Sequence, residues 1–375
     1  MARILAALSG GVDSSVAAAL LKGGGHDVVG VSLQLSDESR GGAVSRCCSP
    51  EDLRDARRLC DHLAIPHYVV NEEEAFEREV VAPFVESYRA GRTPNPCVGC
   101  NSRLKFGTLL EIARSIGAGR VATGHYARRT GGGDEGPARI LKGRDRAKDQ
   151  SYFLFDLDEA QREAALFPLG EMTKEGVVAT ARRLGLPNAG KAESQDLCFL
   201  PGGDVAGFLE ERLGPAAAGE VRHVDGRLLG RHEGRHGLTV GQRRGLGIPA
   251  KRPLYVLEME EGGGAITVGE REHLFVREIA VSGARMHDPR LAGASFRASA
   301  RIRHRHEGVP SDVTFLTESC LRVRFDEAQA APTPGQALVL YEGDLVVGGG
   351  WIEPFRVGPE APRPVDCAVT SAERA

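Results

Sequence analysis

The sequence predicts an α/β protein: an N-terminal doubly wound parallel-sheet domain, a small central β-rich domain and a C-terminal β-barrel. Three observations carry this expectation. Over residues 1–205, short apolar runs rich in β-formers alternate with helix-periodic stretches, which implies parallel strands covered on both faces. Residues 206–272 change to short strands punctuated by glycine. Residues 273–358 read as all β, with close-spaced alternating strands, and 359–375 as a Pro- and Ala-rich tail.

In chain order, "RILAAL" and "DVVGVSLQL" are the first two strands, with a glycine-rich loop and a helix between them. "PEDLRDARRLCDHLA" sets Leu53, Ala56, Leu59, Cys60 and Leu63 at helical spacing. "HYVVN" and "RVATGHY" are further strands, and "GTLLEIARSIGA" a further helix. "TPNPCVGCN", residues 93–101, starts with two prolines and reads as extended. "GPAAAGE", "VDGRLLG" and "EEGGGAITVGE" are hairpin-like, while "RASARIRHRH", "CLRVRF" and "QALVLYEGDLVVGG" alternate as barrel strands do.

Composition narrows the functions. The 375 residues suggest two or three domains, and 41% hydrophobic with 26% charged residues fit a soluble chain with a proper core. No run of eighteen apolar residues occurs, so no membrane span or membrane partner is expected. The start, "MARILAALSGGVDSS", has an apolar stretch of only five residues, too short for a signal peptide, so a cytoplasmic location is expected. There thiols stay reduced, and eight cysteines point to chemistry or metal rather than a disulfide framework. A net charge of −3 means that any nucleic acid must be held by a local patch.

The loop Ser9-Gly10-Gly11-Val12-Asp13-Ser14-Ser15 follows the first strand and opens the first helix. Glycines bring backbone N–H groups close to an anion, and the helix N-terminus adds a favourable dipole. Ser14 and Ser15 add hydroxyl donors. A Walker A loop would need a lysine that is absent here. The loop therefore predicts phosphate binding by another motif.

The pair Cys97 and Cys100 admits three readings. A zinc half-site needs a second pair, which is missing. A thioredoxin-type pair should start a helix, against the two prolines. A nucleophile needs a partner thiol or base, and Cys198 in "KAESQDLCFLPGGD" supplies one.

The first loop resembles the pyrophosphate loop of the N-type ATP pyrophosphatases, which adenylate their substrates. That resemblance implies an ATP site made of Ala7, Leu8, Ser9, Gly10, Gly11, Val12, Asp13 and Ser14, with Leu33 near the adenine and Gly124 after another strand. Asp13 takes the magnesium-linked position. "SGGVDSS", "AGRTPNPCVGCN", "ATGHYAR", "KDQSYFL", "SQDLCF", "GLTVGQRRGLGI" and "TPGQALVLYEGD" together resemble the tRNA-specific 2-thiouridylases over almost the whole length. Those enzymes replace the 2-oxygen of the wobble uridine by sulfur. The resemblance implies ATP and Mg as cofactors, and tRNA and a sulfur-donor protein as partners. It makes Cys198 the persulfide carrier and Cys100 its catalytic partner.

Many members carry aspartate where this chain has Cys97. Cysteine there sets three thiols, Cys97, Cys100 and Cys198, toward one point, a donor set that also suits an iron–sulfur cluster. The resemblance further places tRNA contacts at Asn95, Pro96, Cys97, His125, Lys148, Asp149, Gln150, Arg303, His304 and Gln336. Strand spacing independently puts Arg297, Arg301, Arg303 and Arg305 on one face without acidic neighbours, a phosphate-binding stripe. Two other readings compete: another adenylating ATP pyrophosphatase acting on tRNA or a small molecule, and a non-catalytic tRNA-binding or sulfur-carrier protein. The first needs no catalytic thiols, and an intact ATP loop beside both thiol segments argues against the second.

Overall fold

A computed structural model describes residues 1–35, 49–192, 197–234, 236, 238–260 and 264–355. The chain forms two compact units. One comprises Met1–Ala82, Pro96–Asp204 and Asp344–Val346, and the other Pro83–Asn95, Val205–Gly343 and the chain from Val347 on.

The first unit is built on a parallel sheet. Strands β1 (Arg3–Ala7), β2 (Asp27–Gln34), β3 (His67–Asn71) and β4 (Arg120–Ala122) align in the order β3-β2-β1-β4, and a two-residue strand, Ala165–Leu166, extends the β4 edge. Helix α1 (Val12–Gly23) is rich in alanine, and Val16, Ala17 and Ala18 are buried in the core with Leu59 and Cys60 of helix α2 (Pro50–Leu63). Small side chains allow a helix to lie close on a sheet, and that closeness fixes where the loop before α1 sits. Ser49 and Asp52 cap α2 reciprocally. Cys60 is fully buried, with its thiol pushed up to about 12 by burial and by Asp61, as an inert core residue should be.

"TPNPCVGCN" departs from expectation. Pro96–Gly99 is helical, and the helix runs on through a π-helical stretch, Cys100–Thr108, into Leu109–Ser115. Pro96 stands at the first helical position, where its missing N–H costs nothing. The second proline thus starts the helix that was expected only from Gly107.

In the second unit, strands Gly219–His223, Leu228–His232, Tyr255–Met259 and Ile266–Gly269 form a small sheet around Val221, Val256, Ile266 and Val268. A six-stranded barrel follows, from Phe275–Met286, Phe296–Arg301, Val309–Thr317, Cys320–Ala330, Ala337–Glu342 and Leu345–Ile352. It closes through pairs such as Val281 with Ile352. Leu321, Val323 and Phe325 point inward and alternate with Arg322, Arg324 and Asp326 outside. Among the described residues no helix is long and apolar enough to cross a membrane.

The small sheet carries a titrating lock. His223 is hydrogen-bonded to Glu270 at 3.0 Å and lies 3.0 Å from Asp225. Burial alone would lower its pKa, but the two carboxylates outweigh it and hold the ring above the ordinary 6.5. Glu270 is held below its usual value, chiefly by its hydrogen bond to His223. The histidine's contribution to stability is complete below its unfolded pKa and fades as pH rises through the folded one. The carboxylates' contribution is present above their unfolded pKa and fades in acid. His223→Gln should therefore lower the melting temperature at about pH 6, with the gap to wild type narrowing toward about pH 9. A gap independent of pH would show that the ring is held by packing alone.

Candidate active site

In the first unit β1 lies between β2 and β4, so the loops after β1 and β4 leave the sheet side by side at its carboxyl edge, where open α/β sheets bind ligands. Gly10 has φ +71°, and a Cβ there would lie 2.4 Å from the carbonyl oxygen of Asp52. A Cβ on Gly124 would lie 2.7 Å from the Ser14 nitrogen. Both positions need glycine, because the backbone of another segment presses against each one.

The loop's hydroxyls are ordered. Ser14 Oγ and Ser15 Oγ donate to the Gly11 carbonyl at 3.1 and 2.9 Å. Asn188 Nδ2 donates to the Gly10 carbonyl and to Ser15 Oγ at 2.9 and 2.8 Å. Asp13 is gripped from two sides: Lys174 Nζ lies 2.7 and 2.8 Å from its two oxygens, and Tyr126 donates its hydroxyl at 2.8 Å. Lys174 opens the helix Lys174–Arg183, which is capped by Thr173. Lys191 pairs with Asp52 and Asp55 at 2.7 and 2.5 Å.

Two cavities adjoin this loop. One, of 210 Å³, is lined by Ala7, Leu8, Ser9, Asp13, Ser14, Leu33, Gly124 and His125, with Val31 and Leu35 adding apolar wall. The other, of 380 Å³, is lined by Gly11, Val12, Pro96, Cys97, Lys174, Lys191, Cys198 and Phe199. Ser9, Asp13, Cys100, Lys105 and Gln150 line both. The three sequence-predicted thiols thus face one space that continues into the space beside the loop. Cys97, Cys100 and Cys198 are all reduced. Among the described residues, however, no three His, Cys, Asp or Glu side chains are grouped to hold a metal ion. The three thiols share that second cavity.

Other expected site residues are held by neighbouring groups of the fold. His125 is buried beside Phe106 and Phe167, bonded to Thr123 Oγ1 at 2.8 Å. Burial and the nearby Lys105 charge push its pKa down to about 3. It is a neutral ring at physiological pH. Asp149 is buried and accepts from the Gly143 N–H and from Ser151, so it organises the turn before Ser151. Lys148 is half-buried, and Gln150 Oε1 accepts from the Tyr126 N–H at 2.9 Å. Ser194, Gln195 and Asp196, and with them Cys47, Cys48 and Cys367, lie outside the described residues.

In the second unit, Gln336 Nε2 donates to the carbonyls of Thr93 and Pro94 at 2.9 and 3.1 Å, fixing the segment that ends at Asn95. The arginine stripe is broken. Its strand ends at Arg301, whose guanidinium bonds the carbonyls of His304 and His306. Arg297 bonds Asp312 and Asp326 at 2.7–3.0 Å, and Arg303 reaches the Ala330 carbonyl. The expectation of no acidic neighbours fails because neighbouring strands supply carboxylates that spacing along one strand does not reveal.

Sequence reasoning missed Lys174, Lys191, Tyr126 and Lys105. The sequence does place Lys174 one residue after a Thr cap signal, but nothing in the spacing links it to Asp13, 161 residues away.

The class is a nucleotide-site α/β domain with thiols at its carboxyl edge, followed by two β domains. Residues 2–202 match the family described as the tRNA methyl transferase HUP domain. Residues 206–270 match its PRC-barrel domain, and 276–352 the aminomethyltransferase beta-barrel domain. The chain is 48% identical to the tRNA-specific 2-thiouridylase MnmA of Geotalea uraniireducens, over 94% of this chain and 95% of that one. It is 48% identical to that of Geobacter metallireducens over 94% and 96%, and 46% identical to that of Solibacter usitatus over 93% and 99%. The chain belongs to the tRNA-specific 2-thiouridylase family.

Gly10→Ala should force a Cβ against the Asp52 carbonyl at a positive φ, at a cost of about 1–3 kcal/mol. Thermal unfolding should shift down and ATP affinity should fall. Unchanged ATP affinity would separate this loop from the nucleotide.

Proposed function

We propose that this enzyme, a tRNA sulfurtransferase, thiolates C2 of the wobble uridine of tRNA by adenylating the base carbonyl with ATP and transferring sulfur from a thiol. The observation that carries the reading is that Cys100, Asp13, Lys105 and Gln150 line both the space at the glycine-serine loop and the space that holds Cys97 and Cys198. Activation and sulfur delivery need such adjacency, because an adenylated base must meet the sulfur before water reaches it. The matched domain descriptions speak of methyl transfer, but a loop built for phosphate beside two thiols supports activation and sulfur attack.

In this reading the loop amides and Ser9 and Ser14 receive phosphate oxygens, while Val31, Leu33 and Leu35 give the adenine an apolar wall. Asp13 would hold Mg together with ATP oxygens, since a single carboxylate plus phosphates is a sufficient anchor and supplies charge neutralisation to the departing pyrophosphate. Lys174 is already at Asp13 and is placed to neutralise phosphate charge as well. The uridine O2 attacks the α-phosphorus and pyrophosphate leaves. The terminal sulfur of a persulfide on Cys198, loaded by a sulfur-donor protein, attacks C2, and AMP leaves with the oxygen. Cys100 attacks the inner Cys198 sulfur, releasing the transferred atom and forming a Cys100–Cys198 disulfide, which an external thiol reductant reopens. Pro96 and Cys97 form the wall next to the base. Asn95, His125, Lys148, Asp149, Gln150, Arg303, His304 and Gln336 support tRNA contact directly or by holding the chain that makes it. The setting is a cytoplasmic one, where tRNA and reducing thiols are available.

Asp13→Asn should reduce tRNA-dependent pyrophosphate release by roughly a hundredfold or more, the scale of losing a positioned charge in a transition state, while tRNA affinity stays within about twofold. An equal loss of tRNA affinity would remove Asp13 from the nucleotide site. Cys100→Ser and Cys198→Ser should each stop thiolation yet keep pyrophosphate release, because a hydroxyl preserves shape but carries no persulfide. Cys97→Asp should stay substantially active. Its inactivation would make the third thiol essential.

A further inference from the structure

The motif "GLTVGQRRGLGI" is unused by the chemistry above, yet its loop is lopsided in charge. From Leu238 to Leu257 the chain carries Arg243, Arg244, Lys251 and Arg252 and no Asp or Glu. All four are exposed. We propose that this loop is an RNA-backbone interface of the second unit, seating phosphates of the tRNA on Arg243, Arg244 and Lys251. The proposal rests on the reading of tRNA as substrate.

Three features distinguish the loop from a solvated charge run. First, it is anchored. Leu238, Leu246 and Leu254 are buried in the small sheet's core, with Ile248 packed against it. Gly241 and Gln242 bond Val256 through the backbone at 2.8 and 2.9 Å. Second, its turn is braced: Gln242 Oε1 accepts from the Thr239 N–H and Nε2 donates to the Arg244 carbonyl at 2.9 Å. Gly241, Gly245 and Gly247 take positive φ, so the chain doubles back and holds both arginines at the surface. Third, the cations are unpaired. Among the described residues no carboxylate engages Arg243, Arg244 or Lys251, and Arg252 has only a 3.7 Å contact with Glu272. Several exposed arginines elsewhere in this unit are, by contrast, neutralised: Arg222 by Glu220, Arg227 by Asp225, Arg290 by Asp288 and Arg297 by two aspartates. The loop also bounds an open hollow of 630 Å³ with Pro249, Ala250 and Pro253 on its wall, a concave setting for charged donors. Phosphates suit this pattern, because unpaired cations on a fixed loop release counterions when they meet a polyanion. An acidic protein would also meet the charge, but the chain is acidic overall, and a polyanion of fixed phosphate spacing needs just such a local patch.

The test is tRNA binding by the full-length protein across a salt series, with tRNA thiolation measured alongside. The triple variant Arg243→Gln/Arg244→Gln/Lys251→Gln should bind tRNA about tenfold or more weakly near 0.1 M salt. Its slope of log K against log salt should be shallower by about 2, at roughly 0.7–0.9 per phosphate contact. Its KM for tRNA should rise while kcat at saturating tRNA is kept. The charge-keeping variant Arg243→Lys/Arg244→Lys/Lys251→Arg should bind as wild type does. Arg222→Gln/Arg227→Gln, which removes cations already paired, should change affinity less than about twofold. Unchanged affinity and slope in the triple variant, with wild type thiolating tRNA normally, would overturn the interface and leave the function standing. Equal loss in the charge-keeping variant would overturn it in favour of a structural role. Intact tRNA binding with loss of donor-dependent turnover would assign the loop to a protein instead. A wild type that binds no tRNA and thiolates none would fail the functional reading itself.

Discussion

The site depends on two places where a side chain has no room. Gly10 leans on the backbone of Asp52, and Gly124 leans on the backbone of Asp13 and Ser14, so the loops after β1 and β4 and the start of α2 are stacked main chain on main chain. Side chains between them would push the loop away from the sheet edge. With none, the loop stays at the sheet edge, and Asp13 is carried to where Lys174 and Tyr126 reach it. The alanines of α1 extend the same requirement, since bulkier residues would lift the helix and the loop with it. Phosphate recognition here is thus first a packing property and only then a hydrogen-bonding one.

Charge in the cavity is arranged to be exchangeable. Lys174 and Lys191 each rest on carboxylates, Asp13 for the one and Asp52 with Asp55 for the other. A nucleotide brings its own anionic oxygens, so these ammonium groups can turn toward phosphate without being left unpaired themselves, a state that is costly for a charge shielded from water. His125 makes the complementary choice. Buried next to Lys105, it stays neutral, so it packs against Phe106 and Phe167 as a ring and adds no competing cation.

Much of this was legible in the sequence, and for identifiable reasons. The glycine-serine loop is local, so its position between the first strand and helix could be read directly, and so could the alternation that made the barrel. The extended reading of "TPNPCVGCN" failed because proline breaks helices from inside but starts them at the first position, and only the structure shows which of the two Pro96 occupies. Lys174 was invisible because its partner lies far away in sequence. The arginine stripe misled for the same reason. Arg297 looks unopposed along its own strand, while Asp312 lies directly across in the neighbouring strand and Asp326 one strand further.

That last failure sharpens how basic residues should be weighed in a chain of net charge −3. Counting arginines ranks the barrel first, yet pairing cancels much of its field at short range, and within a Debye length of roughly 8–10 Å a paired guanidinium offers an approaching phosphate little. What attracts a polyanion is charge that the fold itself has left uncompensated and held still. By that criterion the barrel's outer face, where Arg297, Asp312, Arg324 and Glu278 stand in one cross-strand row of alternating sign, is a solvated surface. The braced loop at Arg243 and Arg244 meets that criterion better, because its apolar pins hold the backbone while no carboxylate among the described residues engages either arginine. The same reasoning applies to the thiols. Cys60 is shut away in the core with its proton, whereas Cys97, Cys100 and Cys198 open on a shared cavity, so exposure to a common space rather than cysteine spacing separates the sulfurs proposed to react from the packing one.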